Sequence, residues 1–317
     1  MSRGFTGSKQ TTLQSEVILK GIGVHSGAPV SLVIHPADAD SGIRFQVTEN
    51  GRLKADIPAD YKSISNVNLC TILSSHKAHV ATVEHLLAAL HGLSIDNAIV
   101  EIEGNEIPIM DGSSAPFVDA IDEVGVTTLQ ASRRFIKVLK KVQLHDCNSW
   151  GEFTPYNGFH LDIEIDFEID LIGKQRFSID MNPGAFRREL SRARTFGFMA
   201  EVKKHWAAGR ALGASLENTI AIGEDRIINP EGLRFKNEFV RHKTLDAVGD
   251  LSLAGAPILG AYRSSRGGHR LNSLMLGALF ADKEAWTYVE APRVRETGRA
   301  AEIEIGMAAA NFAADRS

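Results

Sequence analysis

The chain has 317 residues, of which 44% are hydrophobic and 23% charged, and its formal net charge is −4. This balance is ordinary for a globular protein, and the length suggests two domains. The slightly acidic charge does not favour the basic face that nucleic acid usually requires, so we expect no nucleic-acid partner.

The cysteines and the apolar stretches point to a cytoplasmic protein. Cys70 and Cys147 are too few and too far apart for a disulfide framework. Residues 1–8 lack the apolar core of a signal peptide. Apolar stretches such as 86–90 and 254–261 are too short to span a membrane. We therefore expect no transmembrane segment, and only transient contact with a membrane surface if the protein handles a lipid.

The first half of the chain alternates strand and helix signals. Runs rich in β-formers, separated by turn residues, predict strands at residues 17–19, 30–35 and 97–102. An apolar run predicts a helix over 82–90, with Thr82 as its N-cap and Gly92 as its stop. A turn then leads into a second predicted helix over 116–123.

The second half repeats this arrangement after a polar bridge near 127–134. The pattern predicts strands at residues 135–144, 159–167 and 286–289. A helix is predicted over 241–253, whereas the residues 256–262 and 272–280 fit either a strand or a helix. The Val-x-His strings at 83–85 and 240–242, each near the start of a helix, are a faint echo of an internal duplication.

Two clusters of polar residues predict a metal site. Glu84 and His85 open an apolar helix, and His242 and Asp246 lie four residues apart on a later one, so that they share a face. Nitrogens from His85 and His242 with an oxygen from Asp246 make a three-ligand site. Catalytic zinc centres have this shape and keep their fourth position for water. Glu84 is then placed as the general base of a metal hydrolase.

Each of these residues also has an ordinary interpretation. His85 alone would be a buried histidine bonded to a carbonyl, and His242 with Asp246 would be an ion pair on a helix. Lys243 would be surface charge. However, a charged pair directly before an apolar run is costly to bury without a partner. A metal ion would compensate that cost.

Two further segments carry candidate residues. His269 follows two glycines, which fits either a flexible basic loop or a turn that approaches a substrate, where Asp250 could orient it and raise its pKa as an acid catalyst. Thr195 fits a strand end or a donor to an oxyanion, with Phe196 as a binding wall. Residues 199–228 fit a helix and strand packed on the core, or an apolar channel for an acyl chain.

Long ordered motifs resemble one enzyme family. The chain is similar to the UDP-3-O-acyl-N-acetylglucosamine deacetylases, which catalyse the committed deacetylation of lipid A synthesis in Gram-negative bacteria. The resemblance covers about residues 12–292, and its lengths depart near 168–176 and in the tail. It rests on the strings TVEHL (82–86), IPIMDGS (107–113), SRARTFGF (191–198), LRFKNEFVRHKTLD (233–246) and GH (268–269).

The resemblance implies roles for particular residues. The family's zinc ligands match His85, His242 and Asp246, with ferrous iron as the alternative metal for such a site. Its general base, proton-donating histidine with supporting acid, oxyanion-stabilising threonine and active-site lysine match Glu84, His269, Asp250, Thr195 and Lys243. The passage for the acyl chain would be lined by Phe196, Phe198, Met199, Val202 and Leu212.

The resemblance also implies an architecture and partners. The expected fold is α+β, with two similar domains, each a β-sheet layered with helices, packed as a β-α-α-β sandwich. The domains would be 1–128 and 133–300, with an acyl-chain insert at 198–228 and a tail at 301–317. The resemblance implies a monomer acting on a nucleotide-sugar lipid. Apart from the resemblance, the alanine-rich composition of the tail suggests a recognition signal for a regulatory protease.

Two other functions fit the same residues less well. A zinc amidase acting on another acylated amine or a peptide would share the metal site but would need no acyl passage. A non-catalytic nucleotide-lipid binding homologue would be expected to have lost Glu84 or a ligand, and this chain keeps all of them.

Overall fold

A computed structural model describes residues 8–291 and the pair Ala313–Ala314. Its first part contains β1 (Lys9–Leu13), β2 (Val17–Ile22), β3 (Pro29–Pro36), β4 (Ile43–Glu49), β5 (Arg52–Pro58), β6 (Ile64–Asn66), β7 (Ile72–Ser74), β8 (His79–Val80), α1 (Glu84–Gly92), β9 (Ala98–Glu103), α2 (Ala115–Val124) and β10 (Val126–Ser132). A short 3-10 turn, Tyr61–Ser63, lies between β5 and β6.

The second part contains β11 (Arg134–Val138), β12 (Val142–Asp146), β13 (Ser149–Thr154), β14 (Phe159–Asp166), β15 (Lys174–Asp180), α3 (Pro183–Ala185), β16 (Phe196–Phe198), α4 (Met199–Ala207), β17 (Ile220–Ile222), α5 (Glu238–Ser252), β18 (Ile258–Ser265), α6 (His269–Ala281), β19 (Trp286–Glu290) and β20 (Ala313–Ala314). A π-helical turn, Phe186–Leu190, continues α3. The two ambiguous segments are therefore β18 and α6.

The expected α+β fold is confirmed. One sheet has the strand order β2-β3-β9-β4-β5, and a second contains β12-β13-β18-β11-β19-β20, with β14 on β18 and β15 on β14. Helix α5 packs against α1 on one side and against β14 and β15 on the other. A hydrophobic core includes apolar residues of both sheets and both helices. This layering places the first turn of α1 beside the second half of α5, where Gly249 lies against the backbone of Glu84.

Three local predictions are wrong. Thr82 does not cap α1: its φ is 58°, and its hydroxyl donates to Glu106 Oε1 at 3.1 Å instead. The single strand predicted over 135–144 is two strands, because the chain turns between β11 and β12, where Lys140 pairs with Asp282 at 3.1 Å. The predicted polar bridge near 127–134 is mostly strand β10, which pairs with β1.

We propose that the two sheets mark two domains, at 1–128 and 133–300. The first sheet takes its strands from residues 17–103 and the second from residue 134 onward, which supports this division. The proposed tail at 301–317 lies outside the described residues, except for β20, which pairs with β19. In the described part of the chain, no helix has both the length and the apolar composition to cross a bilayer.

The crossing of α1 and α5 requires glycine at position 249. An ideal Cβ on Gly249 would lie 2.0 Å from the backbone oxygen of Glu84. We expect Gly249→Ala to lower the free energy of unfolding by about 1–3 kcal/mol or more, because the two helices must separate to admit the methyl group. Urea unfolding of the purified variant measures this.

Gly277→Ala is the matched control, because a Cβ on Gly277 of α6 would meet nothing within 4 Å. It should be neutral or stabilising by up to about 1 kcal/mol, since alanine is the better helix former. Equal unfolding energies for the two variants would show that α1 and α5 can move apart without cost.

Candidate metal centre

The first half of α5 and the start of α1 bring three ligand atoms together. His85, His242 and Asp246 are buried, and one ligand atom from each lies within 4.8 Å of the others. The Nε2 atoms of His85 and His242 lie 3.6 and 3.4 Å from Asp246 Oδ1. The α5 pair meets because residues four apart share a helix face.

The residues fit a bound metal ion. Asp246 Oδ1 is buried and has no hydrogen-bond partner in the described part of the chain. An unpaired buried carboxylate oxygen is costly, so a native structure that retains one requires an explanation. Two imidazole nitrogens and a carboxylate oxygen that face one point are a donor set for a divalent transition metal.

Hydrogen bonds around the ligands prepare them for a metal. His242 Nδ1 donates to the carbonyl of Ala193 at 3.0 Å, which leaves the Nε2 lone pair facing Asp246. Burial lowers the pKa of His242 to about 3, so the ring is neutral. Burial opposes ionisation of Asp246, but the positive charges of Lys243 and His269 hold its pKa well below the ordinary value. Lys243 Nζ donates to Asp246 Oδ2 at 2.8 Å.

Glu84 is a buried carboxyl with a raised pKa. It is the first residue of α1, and its Oε2 accepts the backbone N–H of Thr71 at 3.0 Å. Burial raises its pKa above the ordinary value, against the opposing effect of His269 and His85. A carboxyl tuned in this direction is suited to exchange a proton near neutral pH.

His269 is buried at the start of α6, where its Nδ1 donates to Asp250 Oδ2 at 2.8 Å. Burial disfavours its charged form, but the charges of Asp250, Glu84 and Asp246 outweigh this and raise the pKa of His269 to about 9. Its Nε2 lies 3.9 Å from Glu84 Oε1. The ring is therefore protonated at neutral pH, and its Nε2 faces the carboxyl group of Glu84.

Sequence reasoning missed two residues that support these groups. The Thr71 hydroxyl and the Asn272 amide donate to Asp250 at 2.6 and 2.8 Å. Thr71 thus binds Glu84 through its backbone and Asp250 through its side chain. Threonine and asparagine are common in loops and helices, so their types gave no signal. Asn272 could have been found by its position three residues after His269 on the same helix face.

The candidate residues converge on one cavity of about 500 Å³. Its lining includes the polar residues Glu84, His85, Thr195, His242, Lys243, Asp246 and His269. The rest of the lining is mostly apolar and includes four predicted passage residues: Phe196, Phe198, Met199 and Val202. Leu212 is not among the lining residues. It follows α4 and lies against the loop at Gly27, with its N–H donating to His25 at 3.1 Å.

Two further lining residues, Phe167 and His25, were not singled out from the sequence, whereas Trp206 and Leu216 lie in the segment 199–228 that fitted an apolar channel. Phe167, Trp206 and Leu216 add apolar surface, and His25 lines the same cavity. The wall itself is built by α4 and by β16, which pairs in parallel with β17. Phe167 belongs to the end of a distant strand, so only the folded chain brings it to Phe196, 5.8 Å away between ring centroids.

Comparisons with known proteins agree with this geometry. Residues 10–281 match the family model described as UDP-3-O-acyl N-acetylglycosamine deacetylase. The chain is 55% identical over 283 residues to UDP-3-O-acyl-N-acetylglucosamine deacetylases of Brucella ovis and Brucella abortus, covering 89% of this chain and 99% of each relative. It is 54% identical over the same length to the Brucella melitensis deacetylase. The chain belongs to the UDP-3-O-acyl-N-acetylglucosamine deacetylase family.

Proposed function

We propose that the chain hydrolyses the acetamide of UDP-3-O-(3-hydroxyacyl)-N-acetylglucosamine, giving the free amine and acetate in the committed step of lipid A biosynthesis. The observation that carries this proposal is the buried His-His-Asp cluster, with Glu84 and His269 beside it, in a cavity whose remaining lining is mostly apolar. The names of the Brucella relatives support the same substrate.

The proposed metal is zinc, held by His85, His242 and Asp246, with ferrous iron as the alternative that these donors also accept. When bound, zinc would supply Lewis acidity, which polarises a carbonyl group and lowers the pKa of water toward neutrality. The neutral His242 ring and the ionised Asp246 are the protonation states that metal binding requires.

The chain's own residues would then move protons and stabilise charge. Glu84 takes the proton from the water that attacks the acetyl carbonyl. The Thr195 hydroxyl and the Lys243 ammonium stabilise the negative charge that develops on the carbonyl oxygen. His269, protonated and oriented by Asp250, gives a proton to the departing amine, which is a poor leaving group without one.

The pH dependence of the reaction tests the role of His269. The raised pKa of His269, about 9, means that activity should fall as pH rises through that region, because the acid form is lost. Activity should rise with pH through the raised pKa of Glu84, because the base must be ionised. We expect His269→Ala to lower kcat about 10²-fold or more and to lose the alkaline limb.

Profiles of kcat against pH for both proteins measure this, with His160→Ala, a histidine near the surface bonded to Asp180, as the control. An alkaline limb that persists in His269→Ala would assign the proton donation to Glu84 instead.

We propose that residues 198–228 form the passage for the 3-O-acyl chain. Enlarging the wall with Val202→Phe should shorten the preferred acyl chain, because lost space removes buried methylenes worth about 0.8 kcal/mol each. We expect kcat/KM to fall about 10-fold or more for long acyl chains and to be kept for short ones. Leu212→Phe is the control, since Leu212 does not line the cavity. The same length profile in both variants would place the passage elsewhere.

A substrate panel tests the function itself. Metal-free protein is assayed for acetate release from the UDP-linked acylated substrate, with and without stoichiometric zinc. Release that depends on zinc and is absent with an N-acetylated peptide supports the proposal. Faster release from the peptide would favour a general zinc amidase.

We also propose that the protein acts as a monomer and that its tail is recognised by a protease. Apart from β20, the tail lies outside the described residues, so the protease proposal rests on the alanine-rich sequence alone. Deletion of residues 308–317 should lengthen the cellular half-life, and an unchanged half-life would remove the idea.

A further inference from the structure

A buried ion pair, Arg194 with Glu238, lies beside the candidate metal centre without being part of its ligand set. Their side chains are 2% and 0% exposed, and Arg194 Nε donates to Glu238 Oε1 at 2.9 Å. The backbone N–H of Arg194 donates to the same oxygen at 3.1 Å. Glu238 therefore binds both the side chain and the main chain of Arg194.

The remaining polar atoms of this pair are also bonded. Arg194 Nη1 donates to Glu231 Oε1 and Nη2 to the carbonyl of Gly232, each at 2.7 Å. Glu238 Oε2 accepts the backbone N–H of Arg234. Buried charges are tolerated when their hydrogen bonds are complete, and the planar fork of arginine suits this arrangement.

The position of the pair on α5 matters. Glu238 and His242 are four residues apart and share a face of this helix. Ala193 and Arg194 are neighbours in the facing segment, and the carbonyl of Ala193 accepts from His242 Nδ1 at 3.0 Å. The segment therefore binds one face of α5 twice. Ala193 contacts the candidate ligand His242, and Arg194 contacts Glu238.

The next residue in the segment is Thr195, which lines the cavity. Its N–H donates to the carbonyl of Gly112, and its carbonyl accepts from the N–H of Ile220, each at 2.8 Å. Residues 193–195 therefore supply, in order, a carbonyl that accepts from a candidate ligand, an ion pair with α5 (the Arg194–Glu238 clamp) and a side chain that lines the cavity.

We infer that Arg194 and Glu238 are positioning residues. They hold the 193–195 segment on α5, so that the carbonyl of Ala193 keeps the proton on His242 Nδ1 and leaves Nε2 for the metal. The inference rests on the metal-dependent function proposed above. It gives the buried ion pair a role besides stabilising the fold, which is to fix the tautomer of the His242 imidazole.

The test compares two buried ion pairs. Glu238→Gln removes the charge of the clamp and places an amide among the N–H donors of Arg194 and Arg234. Asp96→Asn is the matched control, because Arg133 Nε bonds Asp96 Oδ1 at 2.8 Å with side chains 7% and 10% exposed, away from the cavity. Zinc affinity is measured by chelator competition, and the His242 tautomer of the metal-free protein by ¹⁵N NMR.

We expect Glu238→Gln to bind zinc about 10–100-fold more weakly and to populate the other His242 tautomer. Asp96→Asn should lose stability but keep both properties. Unchanged zinc affinity and tautomer in Glu238→Gln would overturn the inference. If that variant does not fold, Arg194→Lys, which keeps the positive charge but not the fork, is judged by the same two outcomes.

The readouts involve no turnover, so they separate this inference from the proposed reaction. Wild-type protein that binds zinc but releases no acetate would refute the reaction, while the comparison of affinities and tautomers would still decide the role of the clamp.

Discussion

Glu84→Gln is expected to lower kcat about 10²–10⁴-fold while leaving zinc bound, because it removes a general base and keeps the size of the side chain. The amide can still accept the N–H of Thr71, which Glu84 Oε2 accepts at 3.0 Å in the native protein. Helix α1 should therefore start in the same place, and the loss should appear in kcat rather than in KM.

Acetate release under saturating substrate measures this effect, together with the zinc content of the same sample. Glu103→Gln, at the exposed end of β9, is the control for removing one carboxylate charge. A Glu84→Gln enzyme within a few-fold of wild type would mean that another group takes the proton.

His242→Ala should abolish both zinc binding at stoichiometric concentration and acetate release. It removes one of the three proposed ligands, the imidazole whose Nε2 lies 3.4 Å from Asp246 Oδ1. We expect the zinc affinity to fall more than about 100-fold. Loss of a residue that only hydrogen-bonds to a metal ligand already lowers metal affinity about 10–100-fold.

Zinc content after dialysis at fixed free zinc measures the loss. The control is His91→Ala, which removes a second histidine of α1. The ring of His91 contacts that of Phe159, and the two centroids are 5.8 Å apart. His91 lies at the opposite end of α1 from His85, so zinc affinity should be kept. Retention of one tightly bound zinc by His242→Ala would exclude the proposed ligand set.

Much of the candidate site could be predicted because its signals are local. The i, i+4 spacing of His242 and Asp246 fixes a shared helix face, and Glu84 with His85 stands out as a charged pair before an apolar run. The long motifs identified the family, and the structure places these residues around one cavity.

Two of the differences between prediction and structure fall where the chain leaves regular elements. Leu212 was predicted to line the passage, but it follows the end of α4, where helical periodicity no longer defines a face. Thr82 has the type of an N-cap, but a positive φ aims its hydroxyl at Glu106, which no sequence pattern specifies. Thr71 and Asn272 reach Asp250 only through tertiary packing.

The division of the proposed metal ligands between two helices has a consequence for folding. His85 belongs to α1 and His242 with Asp246 to α5, which are more than 140 residues apart in the sequence. An ion held by all three would act as a cross-link that exists only in the folded chain. At free metal 1,000-fold above Kd, such binding adds about 4.1 kcal/mol to stability. The Tm would then rise with the concentration of free zinc. At low free zinc the protein would unfold more often and become more susceptible to proteolysis, although none of its residues had been altered.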